Sequence, residues 1–185
     1  WLWSTGAISY DINNDNGIKA LTLVKDLVDA GSMSKEVINW TQGDVMNQFI
    51  SGNIAMMVNG PWQVPTMREQ APDLNWDVTL LPKDAEYASC LGGENFGVID
   101  GDNVDAALDF LQFATSKDEV ASYIDDFGYI AARKDVAEGQ FTDDETMQKF
   151  TEEMQYAQPR GPHAPQAVIS DAPSLAVNES CLLYT

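Results

Sequence analysis

Phe49-Ile50-Ser51-Gly52-Asn53-Ile54-Ala55-Met56-Met57-Val58-Asn59-Gly60-Pro61-Trp62 is the stretch on which the reading of the fold turns. Residues 44 to 51 read as a short helix with Val45, Phe49 and Ile50 turned inward, and Gly52 ends it. Ile54 to Val58 is an unbroken apolar run, the pattern of a strand buried on both faces. Asn59-Gly60-Pro61-Trp62 then turns the chain. Pro61 suits the first position of a helix running to about Gln70. Helix, buried strand and helix in succession predict a chain of mixed helix and strand.

Outward from this stretch the same grammar repeats. Asn14 to Gly31 is the clearest helix: Asn14, Asp15 or Asn16 can cap it. Ile18, Leu21, Val24, Leu27 and Val28 share a face, and Gly31 suits the left-handed stop. Trp76 to Leu81 reads as a strand stopped by Pro82, followed by a polar loop from Lys83 to Tyr87. Ala88 to Leu91 and Phe96 to Ile99 read as short strands around Gly92-Gly93-Glu94-Asn95. From Asn103 a helix places Val104, Ala107, Leu108 and Leu111 on one side. Ser116-Lys117-Asp118-Glu119 and Thr142-Asp143-Asp144-Glu145 are capping boxes that open two more helices. Gly128 closes the first, and Met147, Phe150 and Met154 line the second. Gln158 to Pro165 is a Pro- and Gly-rich loop. From Ile169 the pattern is again helical, limited or kinked by Pro173.

Composition removes several classes of function. The 185 residues carry 10 Lys and Arg against 29 Asp and Glu, a net charge of −19. Such a chain repels phosphate backbones and anionic lipid surfaces, which argues against a nucleic-acid binder. With 44% hydrophobic residues and five Trp, it can bury a core, which a disordered chain cannot. The longest apolar runs are far short of the roughly 20 residues of a membrane-spanning helix. Cys90 and Cys181 are too few for a disulfide framework or a zinc site, and read as free thiols. His163, the one histidine, has no second His with which to hold a metal. Gly92-Gly93-Glu94 lacks the Lys and Ser/Thr of a phosphate loop. No cofactor is implied.

Three segments can be read as scaffold or as site. Trp62, directly after a Gly-Pro turn, either caps the core or projects as a flat platform for the apolar face of a sugar ring. Gly92-Gly93-Glu94-Asn95 is either a tight hairpin or a loop in which backbone approaches a ligand and Glu94 and Asn95 serve hydroxyl groups. Arg160, within Gln158-Pro159-Arg160-Gly161-Pro162-His163, offers a planar fork of donors or makes an ordinary surface salt bridge.

Taken in order, these segments resemble the C-terminal half of the extracellular solute-binding proteins of ABC sugar importers, the maltose-binding-protein-like family. The matching stretches are residues 49–62, Trp76-Asp77-Val78-Thr79-Leu80-Leu81-Pro82, and Gly92-Gly93-Glu94-Asn95-Phe96-Gly97-Val98-Ile99. Ala106-Ala107-Leu108-Asp109-Phe110-Leu111, Gly128-Tyr129-Ile130-Ala131-Ala132-Arg133 and Ile169-Ser170-Asp171-Ala172 complete the set. The resemblance implies an α/β fold: the C-terminal part of a two-lobed periplasmic-binding-protein-like clamp, helix-rich with short strands and inter-lobe crossings. It implies that residues 1–81 form part of the C-terminal lobe. Residues 82–140 then cross and return as helices to the other lobe, and 141–185 come back. The opening Trp1-Leu2-Trp3 has the look of a chain cut from a longer protein, with a leader or lipid anchor outside it. Pro173 and the tail Ser180-Cys181-Leu182-Leu183-Tyr184-Thr185 depart from the family pattern, which has a long final helix here.

The resemblance also implies a function. The chain would be part of a non-enzymatic binding component that captures a neutral sugar or oligosaccharide in a cleft and delivers it to an ABC permease. It would work at the extracellular face of the membrane or in the periplasm. Trp62 matches the family's aromatic platform, and Gly93, Glu94 and Asn95 its cleft-lining glycine loop. Arg160 and His163 fall in the loop before the last helix, and Trp3 and Ser4 fall near the cleft. Self-association through uncovered apolar surface is a further expectation. The competing readings are a carbohydrate-active enzyme, for which Glu94 would need a partner carboxylate, and an interaction module with no small ligand, in which Trp62 is buried.

Overall fold

The computed structural model describes residues 1–8, 11–161 and 166–182. It is a helix-rich α/β chain in which eight α-helices accompany one pair of two-residue strands among the described residues. The chain divides into two compact units. The first gathers Trp1–Val45, Leu80–Leu91 and Glu153–Thr185; the second gathers Met46–Thr79 and Gly92–Glu152.

The first unit is built on α1 (Asp15–Asp29). The Asn14 side chain accepts the N–H groups of Asn16 and Gly17 at 3.0 and 3.1 Å, and Gly31 takes the left-handed conformation (φ 70°) just beyond the end. Both ends are thus satisfied locally, which is why the helix reads so clearly from sequence. Its inward residues are Gly17, Ala20 and Val28, while Ile18 is 58% exposed. The start of α2 (Gln42–Ile50) belongs to this unit. That helix begins before Asp44 because Thr41 and Asp44 cap each other: the Asp44 N–H donates to Thr41 Oγ1, and the Thr41 N–H and hydroxyl donate to Asp44 Oδ2. These bonds hold the Asp44 carboxyl below its usual range, the Thr41 hydroxyl first and its N–H second.

The second unit holds the rest of α2, then α3 (Val64–Gln70), which follows a single 3-10 turn, Pro61–Gln63. Its core includes Val64 and the fully buried Met67 and Met147. Ile54 to Val58 is not a strand here: no ladder forms, and Met56 is 87% exposed. The segment from Trp76 is extended and keeps the period-two burial of a half-buried strand, yet it too has no partner. A strand needs a neighbour to take its N–H and C=O groups, and neither segment has one among the described residues.

The hairpin predicted around Gly92-Gly93 also does not form. β1 (Ser89–Cys90) belongs to the first unit and pairs in parallel with β2 (Ala157–Gln158), Ser89 facing Ala157 and Cys90 facing Gln158. Residues 96–99 remain unpaired, with Ile99 91% exposed.

The helices of the second unit continue with α4 (Val104–Ala114), α5 (Lys117–Tyr123), α6 (Lys134–Ala137) and α7 (Glu145–Glu153). Val120, Ala131 and Val136 form a small core with Tyr123, Ile124 and Ala137 against it. α7 is capped by Asp144 rather than Thr142: Asp144 Oδ1 accepts the Met147 N–H at 3.1 Å. Both Asp144 oxygens also accept the Arg68 guanidinium at 2.8 Å, tying α3 to the start of α7. Arg68 holds the Asp144 carboxyl below its usual range, with the Met147 N–H assisting. Asp144 is therefore a structural carboxylate.

In the first unit the chain closes with α8 (Gln166–Leu182), which packs against α1 and against the 3-10 turn Lys35–Asn39. The helix starts well before Pro173 and runs through it, so the proline interrupts the ladder from inside.

Candidate functional site

In the second unit, Gly60, Pro61 and Trp62 act as one piece. Gly60 is buried, and a Cβ built on it would run into the Trp62 ring, so the indole lies folded back over its own turn. This close approach explains why glycine precedes the proline. Trp62 is half-buried, with its ring 6.1 Å from that of Tyr129 at 46°. It is neither a free-standing platform nor a core residue, but a partly exposed ring beside Gly60 and Tyr129.

The Tyr129 side of this arrangement was not read from sequence. Gly128 follows α5 and has φ 66°, a left-handed conformation that side chains disfavour. A Cβ there would also sit 2.8 Å from the Pro61 carbonyl oxygen and 2.9 Å from Pro65 Cδ. Gly128 therefore lets the 127–129 turn press onto the Pro61–Pro65 segment. Gln140 fastens the same turn: its amide donates to the Tyr129 carbonyl at 3.1 Å and to Asp125 Oδ1 at 2.5 Å, and its Oε1 accepts the Ala131 N–H at 2.7 Å. A glutamine eleven residues from its target carries no local signal, so only the folded chain reveals it.

The other predicted residues fall in two places. Gly93, Glu94 and Asn95 lie in the second unit, exposed and in an unpaired segment. Gly93 has φ 144° and open space where a Cβ would be. Trp3, Ser4 and Arg160 lie in the first unit. Trp3 is half-buried in the 3-10 turn Trp3–Thr5. Ser4 is 3% exposed, and its hydroxyl donates to the Glu86 carbonyl at 2.9 Å and accepts the Asp84 N–H at 2.8 Å. Ser4 thus holds the 84–86 loop. Arg160 is exposed two residues beyond β2. His163 lies outside the described residues. The first unit also carries a mostly apolar depression of about 290 Å3, lined in part by Trp1, Leu23, Pro82 and the Lys19–Asp84 ion pair.

Among the described residues, no group of three His, Cys, Asp or Glu side chains is placed to hold a metal ion. No described helix is long and apolar enough to cross a membrane. Cys90 and Cys181 are free, the first exposed and the second buried. The nominated segments present aromatic rings, backbone at a glycine loop, and carboxylate and amide groups.

Comparison with known proteins gives this a family. The model of the bacterial extracellular solute-binding proteins matches residues 2–149, and the chain belongs to that family. Two proteins named as binding proteins, from Brucella abortus (strain 2308) and Brucella suis biovar 1 (strain 1330), are each 26% identical to it over 144 residues. That alignment covers 74% of this chain and 35% of each relative, so the chain spans about a third of the length of the curated relatives it matches. The family is one of solute binders working outside the cytoplasm, and its members are generally not enzymes.

Proposed function

We propose that the chain is part of the substrate-binding component of an ABC importer, of the maltose-binding-like kind, and that its ligand is a neutral sugar or oligosaccharide delivered to a permease. The observation that carries this reading is Trp62. Its indole is fixed by Gly60 and Tyr129 yet left partly exposed. A packed, partly exposed indole suits the apolar face of a pyranose, and fixing it beforehand lowers the entropic cost of binding. The net charge of −19 favours an uncharged ligand over sugar phosphates and acidic sugars. In this reading Gly93, Glu94 and Asn95, exposed in the same unit as Trp62, supply contacts to the ligand's hydroxyl groups.

Tryptophan fluorescence during titration with neutral mono- and oligosaccharides tests this. A saturable change is expected in the parent chain and is expected to weaken at least tenfold, or vanish, in Trp62→Ala. A saturable change that survives Trp62→Ala unaltered would remove Trp62 from the site. Release of product from aryl glycosides would replace binding with hydrolysis as the function.

A further inference from the structure

The sequence holds two Asn-Gly pairs, Asn16-Gly17 and Asn59-Gly60, and the fold treats them differently. Asparagine is a thermolabile residue: the backbone nitrogen that follows it can attack its side-chain amide carbon. A following glycine, having no Cβ, leaves that nitrogen unshielded. Geometry then decides, because attack needs the reacting atoms about 3–3.5 Å apart and aligned.

In the second unit, Asn59 lies just ahead of the 3-10 turn Pro61–Gln63, and residues 59 and 60 belong to no helix or strand of the described chain. Asn59 Oδ1 accepts the Gly60 N–H at 3.0 Å, so the amide group lies against the nitrogen that would attack it. In the first unit, Asn16 stands inside α1, where the helical ladder fixes its dihedrals. The Gly17 N–H already serves another acceptor, Asn14 Oδ1 at 3.1 Å. This turn is also tightly packed: a Cβ on Gly17 would meet the Ile12 carbonyl oxygen at 1.9 Å.

We propose that Asn59 is a self-modification site, converting to aspartate and isoaspartate without an enzyme, and that the conversion resets the Trp62 turn. The Gly60 nitrogen gives its proton to water and bonds to Asn59 Cγ. The Cγ–Nδ2 bond breaks, and ammonia leaves with a proton returned from water. The product is a cyclic imide. Water then adds to one of its two carbonyl carbons, and the bond from that carbon to the Gly60 nitrogen breaks. Addition at Cγ leaves aspartate. Addition at the main-chain carbonyl carbon leaves isoaspartate, whose main chain runs through the side chain and is one carbon longer. Either product adds a negative charge. The extra carbon enters directly ahead of Gly60, which is buried under the indole with no room even for a Cβ. The longer chain therefore shifts Gly60 and unseats Trp62, whatever Trp62 binds.

The test is incubation of the chain at mildly alkaline pH, both folded and in concentrated urea. Peptide mass spectrometry follows each asparagine, and released ammonia is assayed alongside. In the folded chain Asn59 is expected to convert roughly tenfold faster than Asn16. In urea, where both pairs are unconstrained, the two rates should come together. Tryptophan emission should move toward that of a solvated ring in step with isoaspartate at position 59, and Trp62→Phe should remove that shift. Asn59→Gln, which would have to close a larger ring, should stop conversion at this position and the shift with it. Equal rates at Asn16 and Asn59 in the folded chain would overturn the site. So would an Asn59 that stays intact while folded and converts only in urea. Conversion at Asn59 with no change in emission would overturn the coupling to Trp62.

Discussion

Gly60 and Gly128 do for Trp62 what no larger residue could. Gly60 leaves room for the indole to fold back, and Gly128 brings Tyr129 beside it while holding φ 66°. Gly128→Ala is expected to cost more than the roughly 1 kcal/mol of a left-handed alanine, because the new Cβ would also press on the Pro61 carbonyl at 2.8 Å. A urea titration followed by circular dichroism should show an earlier midpoint with an unchanged slope. Gly60→Ala has a more local signature. The indole must swing out, so its emission should move toward that of a solvated tryptophan and sugar affinity should fall even where the fold survives. An unchanged Gly60→Ala emission spectrum would contradict the packed ring. Trp62 could be nominated from sequence because a large ring after Gly-Pro is locally conspicuous. Tyr129 could not, because its role depends on a contact between segments some 65 residues apart in the chain.

At the scale of elements, what was legible was local. α1 announces itself through Asn14 and Gly31, and α5 begins where the Ser116 pattern places it, although Ser116 makes no side-chain cap bond. Strands are not legible in the same way, because their existence depends on partners. Ile54 to Val58 has the composition of a buried strand, and residues 76–81 have its alternation, but pairing is not a property of a segment. The strand that does form, β1, finds its partner 68 residues further on, at Ala157. Two predictions belong here. In α8, Pro173 removes the N–H that would serve the Ile169 carbonyl, so Pro173→Ala should stabilise the first unit by about 1–3 kcal/mol, read as a higher melting temperature. At the start of α7, Asp144 is held below the usual carboxylate range by Arg68. Its contribution is therefore complete above that range and is lost as pH falls through the depressed value. Asp144→Asn, which can still cap, should cost about 0.2–1 kcal/mol at neutral pH and flatten the acid limb of the stability curve. Asp144→Ala should cost about 1 kcal/mol more. Equal acid limbs for parent and Asp144→Asn would show that Arg68 is not the cause.

For the whole molecule, charge and exposed apolar surface pull in opposite directions. A net charge of −19 makes copies of the chain repel one another. Against this, Phe96, Ile99, Leu108, Phe110 and Phe113 of the second unit are all more than half exposed, with α4 apolar on more than one side. At about 0.01 M salt the Debye length is near 30 Å, and repulsion reaches well beyond contact. At about 1 M it shrinks to roughly 3 Å, and little remains to oppose burial of phenylalanine. Association should therefore be promoted by salt, the reverse of a contact built on ion pairs. Sedimentation velocity is expected to give a 20.3 kDa species at low salt and larger species at high salt. Phe110→Glu with Phe113→Glu should return the chain to the monomer in both. Association that weakens as salt is added would show that charges, and not these rings, make the contact. The proposed binding of a neutral sugar at Trp62 is expected to change little across the same salt series, since screening acts on neither the ring nor an uncharged ligand. That insensitivity would separate the proposed ligand surface from the apolar surface of α4 in a single set of conditions.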